Sequence, residues 1–179
     1  MSLDTPVSMV QIEWEFEQLL ELYKELAPKK VLEIGTKDGG SLYHWLRLAA
    51  PDSTVVYVDF VFNTEYEAWA RSDTMLVPVQ GNSHNKIIID IANSYGPFDF
   101  VFIDGDHSYE GVKADFEAYG DATVVALHDI CPFPDNKEIE VPDFWREIEP
   151  LYDTDEIIYD LSQGECGIGV IYPKGKYAS

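Results

Sequence analysis

Positive charge is scarce in this chain. Twelve lysines and arginines face 33 aspartates and glutamates, a formal charge of −21 at pH 7. A surface this acidic repels DNA, RNA and anionic membranes, so no nucleic-acid partner and no membrane partner are expected. Cysteine is nearly absent too. Cys131 and Cys166 stand alone with no Cys-x-x-Cys pair, which speaks against a zinc knuckle or a disulfide framework and for two reduced thiols. No apolar run is long enough to span a bilayer, and the first eleven residues show neither the basic stretch nor the apolar core of a secretory leader. The expectation is a cytoplasmic protein.

What is present is ordinary globular material: 179 residues, 46% hydrophobic and 25% charged. That length fits a single domain over residues 1–179 with its own core. Residues 11–27 carry Ile12, Phe16, Leu19, Leu20, Tyr23 and Leu26 at three- and four-residue spacing, the pattern of an amphipathic helix that packs on a sheet. Short apolar runs follow at Lys30 to Ile34, Thr54 to Val58, Met75 to Gln80, Phe98 to Ile103 and Ala122 to Leu127. Helical stretches separate them: Gly40 to Ala49, Thr64 to Arg71, a segment around Ile87 to Ile91 for which Asn82 and Ser83 offer a cap, and Tyr109 to Tyr119. Five strands alternating with helices predict a parallel sheet covered on both faces. Past residue 130 the pattern changes to a Pro-rich acidic segment, a short helix from Phe144 to Ile148, and two strands, Glu156 to Leu161 and Gly167 to Tyr172, with Gly164 in the turn between them. The fold expected is α/β: a three-layer, Rossmann-like, doubly wound and mostly parallel sheet of about seven strands with an antiparallel C-terminal hairpin.

In such a sheet the ligand crevice lies at the carboxyl ends of the strands. Glu33, Asp59, Asp104 and the pair His128 and Asp129 each stand where a strand is expected to stop, so four strands deliver polar groups to one edge. The first loop reads Gly35-x-x-x-Gly39-Gly40. A dinucleotide fold needs Gly-x-Gly-x-x-Gly to bring the backbone up to a pyrophosphate, and Lys37 stands where its second glycine would be. An acid before the loop and no phosphate cradle suit a ligand with a positive centre and ribose hydroxyls, of which S-adenosylmethionine is one. Asp59, ending the next strand, stands where a carboxylate accepts ribose hydroxyls.

The run Phe102-Ile103-Asp104-Gly105-Asp106-His107-Ser108-Tyr109 puts two carboxylates and an imidazole within four residues. Adjacent strands lie about 5 Å apart, so Asp104 and Asp129 can face one cation, with His128 beside them. Oxygen ligands with open positions favour Mg²⁺, Ca²⁺ or Mn²⁺, and His128 tilts the choice toward Mn²⁺ or another transition metal. The alternative is that Asp104 contacts an organic ligand while Asp129 caps a loop. Asp106 and His107 are the candidate proton acceptors for an attacking hydroxyl, against the plainer readings of a helix cap and a packed imidazole.

On Val31 to Ser41, Phe102 to Asp115 (FIDGDHSYEGVKAD) and Val124 to Ile130 (VVALHDI), the chain resembles the class I S-adenosylmethionine-dependent methyltransferases. It is most similar to the small-molecule branch with macrocin O-methyltransferase and cephalosporin-hydroxylase-like proteins. The resemblance implies methyl transfer to a hydroxyl of a small-molecule acceptor, a sugar or a secondary metabolite. It places Glu33 and the loop glycines Gly35 and Gly39 near the methionine part of the cofactor, Asp59 on the ribose, and Asn82 and Ser83 near the adenine. It makes Asp104 and Asp129 metal ligands and Asp106 the base, with His128 at a position that relatives often fill with an acid. Residues 131–143 are the candidate lid, and a small or exposed acceptor, or a lid supplied by a partner subunit of a homo-oligomer, would fit so short a chain. Two other readings share the scaffold: a metal-dependent hydroxylase or oxidoreductase, and a non-catalytic cofactor-binding module.

Overall fold

The computed structural model describes residues 6–134 and 136–175. Helix α1, Glu13–Leu26, forms on the expected apolar spacing, with Phe16, Leu19, Leu20 and Tyr23 all in the core. Ala27 ends it in a left-handed conformation whose N–H returns to the Tyr23 carbonyl. Strand β1, Lys30–Ile34, leads through the glycine loop into α2, Gly40–Leu48. Strands β2, Ser53–Asp59, β3, Thr74–Gln80, β4, Phe98–Ile103, and β5, Ala122–His128, follow with α3, Lys86–Asn93, and α4, Tyr109–Tyr119, between the later ones. Helix α5, Val141–Ile148, precedes β6, Asp153–Ile157, and β7, Ile168–Tyr172.

The strands form one seven-stranded sheet in the order β3-β2-β1-β4-β5-β7-β6. β1 to β5 are parallel, while β7 runs antiparallel to both β5 and β6. This is the expected α/β architecture with its antiparallel end. The period-two alternation of the strands divides the core between two faces. Leu32, Ile34, Val101, Ile103, Val125 and Leu127 face α3, α4 and α5. Val31, Phe100, Phe102, Val124 and Ala126 face α1 and α2. On the second face Trp45 packs against Phe16, Tyr23, Phe100 and Phe102 at ring-centroid separations of 4.8–5.6 Å, each buried aromatic adding roughly 2–3 kcal/mol.

Four local expectations change. The segment after β2 is a 3-10 helix, Thr64–Trp69, capped by Asn63. The cap of α3 is Asn85, which accepts the Ile87 N–H, because Asn82 spends its side-chain oxygen on the His84 N–H. Helix α5 begins at Val141, with Pro142 in its first turn where a missing N–H is harmless. Strand β6 lies earlier than Glu156 to Leu161, since pairing with β7 sets its register from Asp153 opposite Tyr172 to Ile157 opposite Ile168. Residues beyond Ile157 are drawn away by buried Glu15, whose carboxylate accepts N–H groups from Tyr159, Gln163 and Gly167. Among the described residues no helix is long and apolar enough to cross a membrane.

Candidate active site

β1 is flanked by β2 on one side and β4 on the other, so the strand order reverses there and a crevice opens between the carboxyl ends of β1 and β4. The chain is tightly bound at that point: Asp104 donates its N–H to the Ile34 carbonyl at 2.8 Å and Gly35 donates to the Val58 carbonyl at 3.0 Å. Gly35 has φ +82°, and a Cβ on it would lie 2.2 Å from the Asp104 carbonyl oxygen. Glycine is required there.

Asp59 organises the loop. One carboxylate oxygen accepts the N–H groups of Thr36 at 2.7 Å and Lys37 at 2.9 Å, and the other accepts that of Val61 at 2.8 Å. Lys37 holds a left-handed φ of +50°, so it takes a glycine-like conformation at the place where a dinucleotide loop has glycine. Gly39, at φ +85°, presses on Tyr66 and Trp69. It lies outside both cavities described below.

Glu33 lies behind the loop and also lines neither cavity. It is fully buried on the α1/α2 side and accepts hydrogen bonds from the Ser41 and Thr36 hydroxyls and the Trp45 indole. Burial raises its carboxyl from 4.5 to about 8, against the pull of those donors. The folded state therefore holds a proton that the unfolded chain releases, so this group's contribution to stability is complete below about pH 4.5 and is lost as pH rises to about 8. Glu33→Gln has no proton to lose and keeps the side chain's shape. Thermal melts at pH 5, 6.5 and 8 should show wild type losing stability relative to this variant across the series; parallel curves would contradict the assignment.

A cavity of about 750 Å³ runs along the strand ends and takes in Gly35, Lys37, Asp59, Asn82, Ser83, Asp104, Asp106 and His107, a size suited to a cofactor-sized ligand. Phe60 and Val61 supply apolar wall at the β2 end, and Asn136, Glu138 and Ile139 reach it from the segment proposed as a lid. That segment is anchored at the site: Glu140 donates its N–H to the His107 carbonyl at 2.8 Å, and its side chain accepts the Tyr109 N–H at 3.0 Å. Phe144 and Trp145 are buried in the core. A second cavity of about 100 Å³ adjoins, lined by Gly35, Asp104, His107, His128, Asp129 and residues 8–11.

Between the two cavities, single ligand atoms of Asp104, His107 and Asp129 lie within 4.8 Å of one another. His107 Nδ1 is 2.9 Å from Asp129 Oδ2, and this hydrogen bond holds the imidazole above its ordinary pKa. His128 is turned inward. Its side chain is 2% exposed, and its Nδ1 lies 3.1 Å from both Asp104 Oδ1 and Asp129 Oδ1. Burial opposes charge on His128, yet the two carboxylates keep its pKa well above the usual value. Burial likewise pushes Asp129 upward, but the two imidazoles outweigh it and hold the carboxyl far below the usual range. Asp129 itself has φ +66°, a conformation that aspartate tolerates better than most residues.

Asp106 faces the larger cavity, and its Oδ1 accepts the Ser108 N–H at 3.0 Å and the Ser108 hydroxyl at 2.8 Å. Burial opposes ionisation, but these two donors keep the carboxyl below its ordinary pKa. Ser108, not Asp106, caps α4. Two contacts carry no mark in the sequence. Gln11 Nε2 donates to Asp104 Oδ2 at 2.8 Å across 93 residues. His84, on the cavity wall, stands 3.3 Å from buried Asp115, whose carboxyl is raised by burial.

The carboxyl-edge crevice, the loop held by an aspartate and the sheet order define a class I S-adenosylmethionine-dependent fold. The family model described as "Methyltransferase domain" matches residues 32–130, more than half of the chain. The chain belongs to that methyltransferase family. No curated protein matches it in sequence. Among solved structures it is similar to cofactor-bound Rv0187 from MTB, at TM-score 0.66 and 20% identity over 97% of this chain and 85% of that one. It is similar to an O-methyltransferase from Bacillus cereus in complex with SAH, at TM-score 0.61 and 18% identity over 95% and 84%. The MycE methyltransferase of the mycinamycin biosynthetic pathway, in complex with Mg, SAH and mycinamycin VI, aligns at TM-score 0.65 and 18% identity over 94% of this chain and 52% of that chain.

Proposed function

We propose that this enzyme transfers the methyl group of S-adenosylmethionine to a hydroxyl of a small molecule, with the cofactor in the larger cavity. The observation that carries this reading is the meeting of Asp59 on one side of the crevice with the Asp104, His107 and Asp129 cluster on the other. The acceptor site left on Asp59 Oδ1 takes a ribose hydroxyl, Asn82 and Ser83 border the adenine, and Gly35 lets the methionine part approach the backbone. Glu33 supports the loop from behind.

Asp104, His107 and Asp129 form the cation seat, and two carboxylates with one imidazole fit Mg²⁺ or Mn²⁺. A bound divalent cation would draw the acceptor hydroxyl in and lower its pKa. His128 braces both carboxylates from behind. Asp106, on the same wall, takes the hydroxyl proton. The methyl carbon leaves sulfur as it bonds to oxygen, giving a methyl ether and the neutral thioether, and alignment of the two supplies much of the rate. A non-haem iron oxygenase seat uses two imidazoles and one carboxylate, whereas the Asp104, His107 and Asp129 cluster offers one imidazole and two carboxylates.

Calorimetric titration with S-adenosylmethionine and its demethylated product tests the cofactor assignment: binding of both is expected, and failure of both to bind wild type would refute it. The 2.9 Å contact between His107 and Asp129 favours a second reading, in which His107 is the base and no cation is needed. Chelator-treated enzyme separates the two. Against a panel of hydroxylated small molecules, mass spectrometry should find methyl transfer lost on chelation and restored by Mg²⁺ or Mn²⁺; full activity after chelation favours His107.

A further inference from the structure

Residues 8–11 precede α1 and lie across the glycine loop. A Cβ on Gly40 would come within 2.5 Å of Met9 Cγ and 3.1 Å of the Ser8 carbonyl, so the strap is seated at a point where only glycine leaves room. Its inner side walls the smaller cavity, and Asp104, His107 and Asp129 form the opposite wall. At its end, the Gln11 amide reaches Asp104 Oδ2 at 2.8 Å, while the other oxygen of that carboxylate faces His128 Nδ1 at 3.1 Å.

We propose that Gln11 is a fourth protein ligand of the cation seat. The inference rests on the cation reading given above. A primary amide carries a donor and an acceptor of nearly equal size on one carbon, and a half-turn about its last bond exchanges them. Facing a bare carboxylate, the N–H end is the favourable one. A dication held by Asp104, His107 and Asp129 would repel that end and attract the carbonyl oxygen, an ordinary ligand for oxygen-preferring cations. Two carboxylates and one imidazole are a small ligand set for an oxygen-preferring cation, so Gln11 Oε1 would add a fourth protein ligand and leave room for water or an acceptor oxygen. Nothing in the local sequence announces this role, because the contact spans 93 residues.

Mn²⁺ is the probe, and the full chain is used without cofactor. Electron paramagnetic resonance titration gives its affinity, and water-proton relaxation gives the number of waters in its inner sphere. Gln11→Ala should weaken Mn²⁺ binding by about tenfold and admit one additional inner-sphere water. Gln11→Glu, which keeps an oxygen at the same reach, should bind at least as tightly as wild type without the extra water. Gln11→Ala matching wild type in affinity and water count, while Asp104→Asn abolishes binding, would overturn the Gln11 assignment and leave the cation reading standing. Wild type failing to bind Mn²⁺ at all would overturn both.

Discussion

Asp59→Ala is expected to weaken S-adenosylmethionine binding by about 100-fold, close to 3 kcal/mol. Two losses combine. The carboxylate is the proposed acceptor for a ribose hydroxyl, and charge-assisted hydrogen bonds of this kind are the stronger ones. It also holds the loop, since the N–H groups of Thr36, Lys37 and Val61 all end on it within 2.9 Å. Without it Lys37 has little reason to keep φ at +50°, and the loop loses the shape that the cofactor meets. Asp59→Asn retains one acceptor oxygen and should fall between, near a tenfold loss. Calorimetry on both variants, with thermal melts to show that each is folded, measures the effect. Wild-type affinity in Asp59→Ala would remove Asp59 from the cofactor site.

Gly35→Ala is expected to destabilise the fold by on the order of 4 kcal/mol or more, enough to lower the melting temperature by roughly 10 °C in a chain of this size. The methyl group would lie 2.2 Å from a carbonyl oxygen at φ +82°. That oxygen cannot move aside, because the adjoining Asp104 N–H is bonded to Ile34. Gly164→Ala is the control. Its φ is +68°, but the nearest atom is a proline carbon at 3.5 Å, so it carries the left-handed penalty of about 1 kcal/mol alone. Comparable melting shifts in the two variants would mean that the contact with Asp104 is not what excludes a side chain at Gly35.

Strands β1, β2, β4 and β5 were readable because both faces of a central parallel strand are buried, which leaves near-continuous apolar runs. Strand β6 was harder, because Asp153 to Ile157 is a polar edge strand whose limits come from its partner β7. The burial of Glu33 had a signal that period-two alternation could have supplied. Between Leu32 and Ile34, which face α3 to α5, its side chain must point with Val31 to the α1/α2 face. The same alternation puts His128, two residues after Ala126, on the α1/α2 face, whereas the direction of His107 had no such signal. His128 closes β5 and turns into the protein, whereas His107 sits in a loop and stays partly open.

The sequence by itself determined the order of elements, the sheet they build and the acids delivered to its carboxyl edge, because hydrophobic period and turn chemistry are local properties of the chain. Which of those acids share one site, that His107 faces the cavity beside Asp129, and that Gln11 meets Asp104 were decided by tertiary structure alone. Each depends on strand register and on contacts between residues far apart in the chain, and no local pattern encodes such a distance.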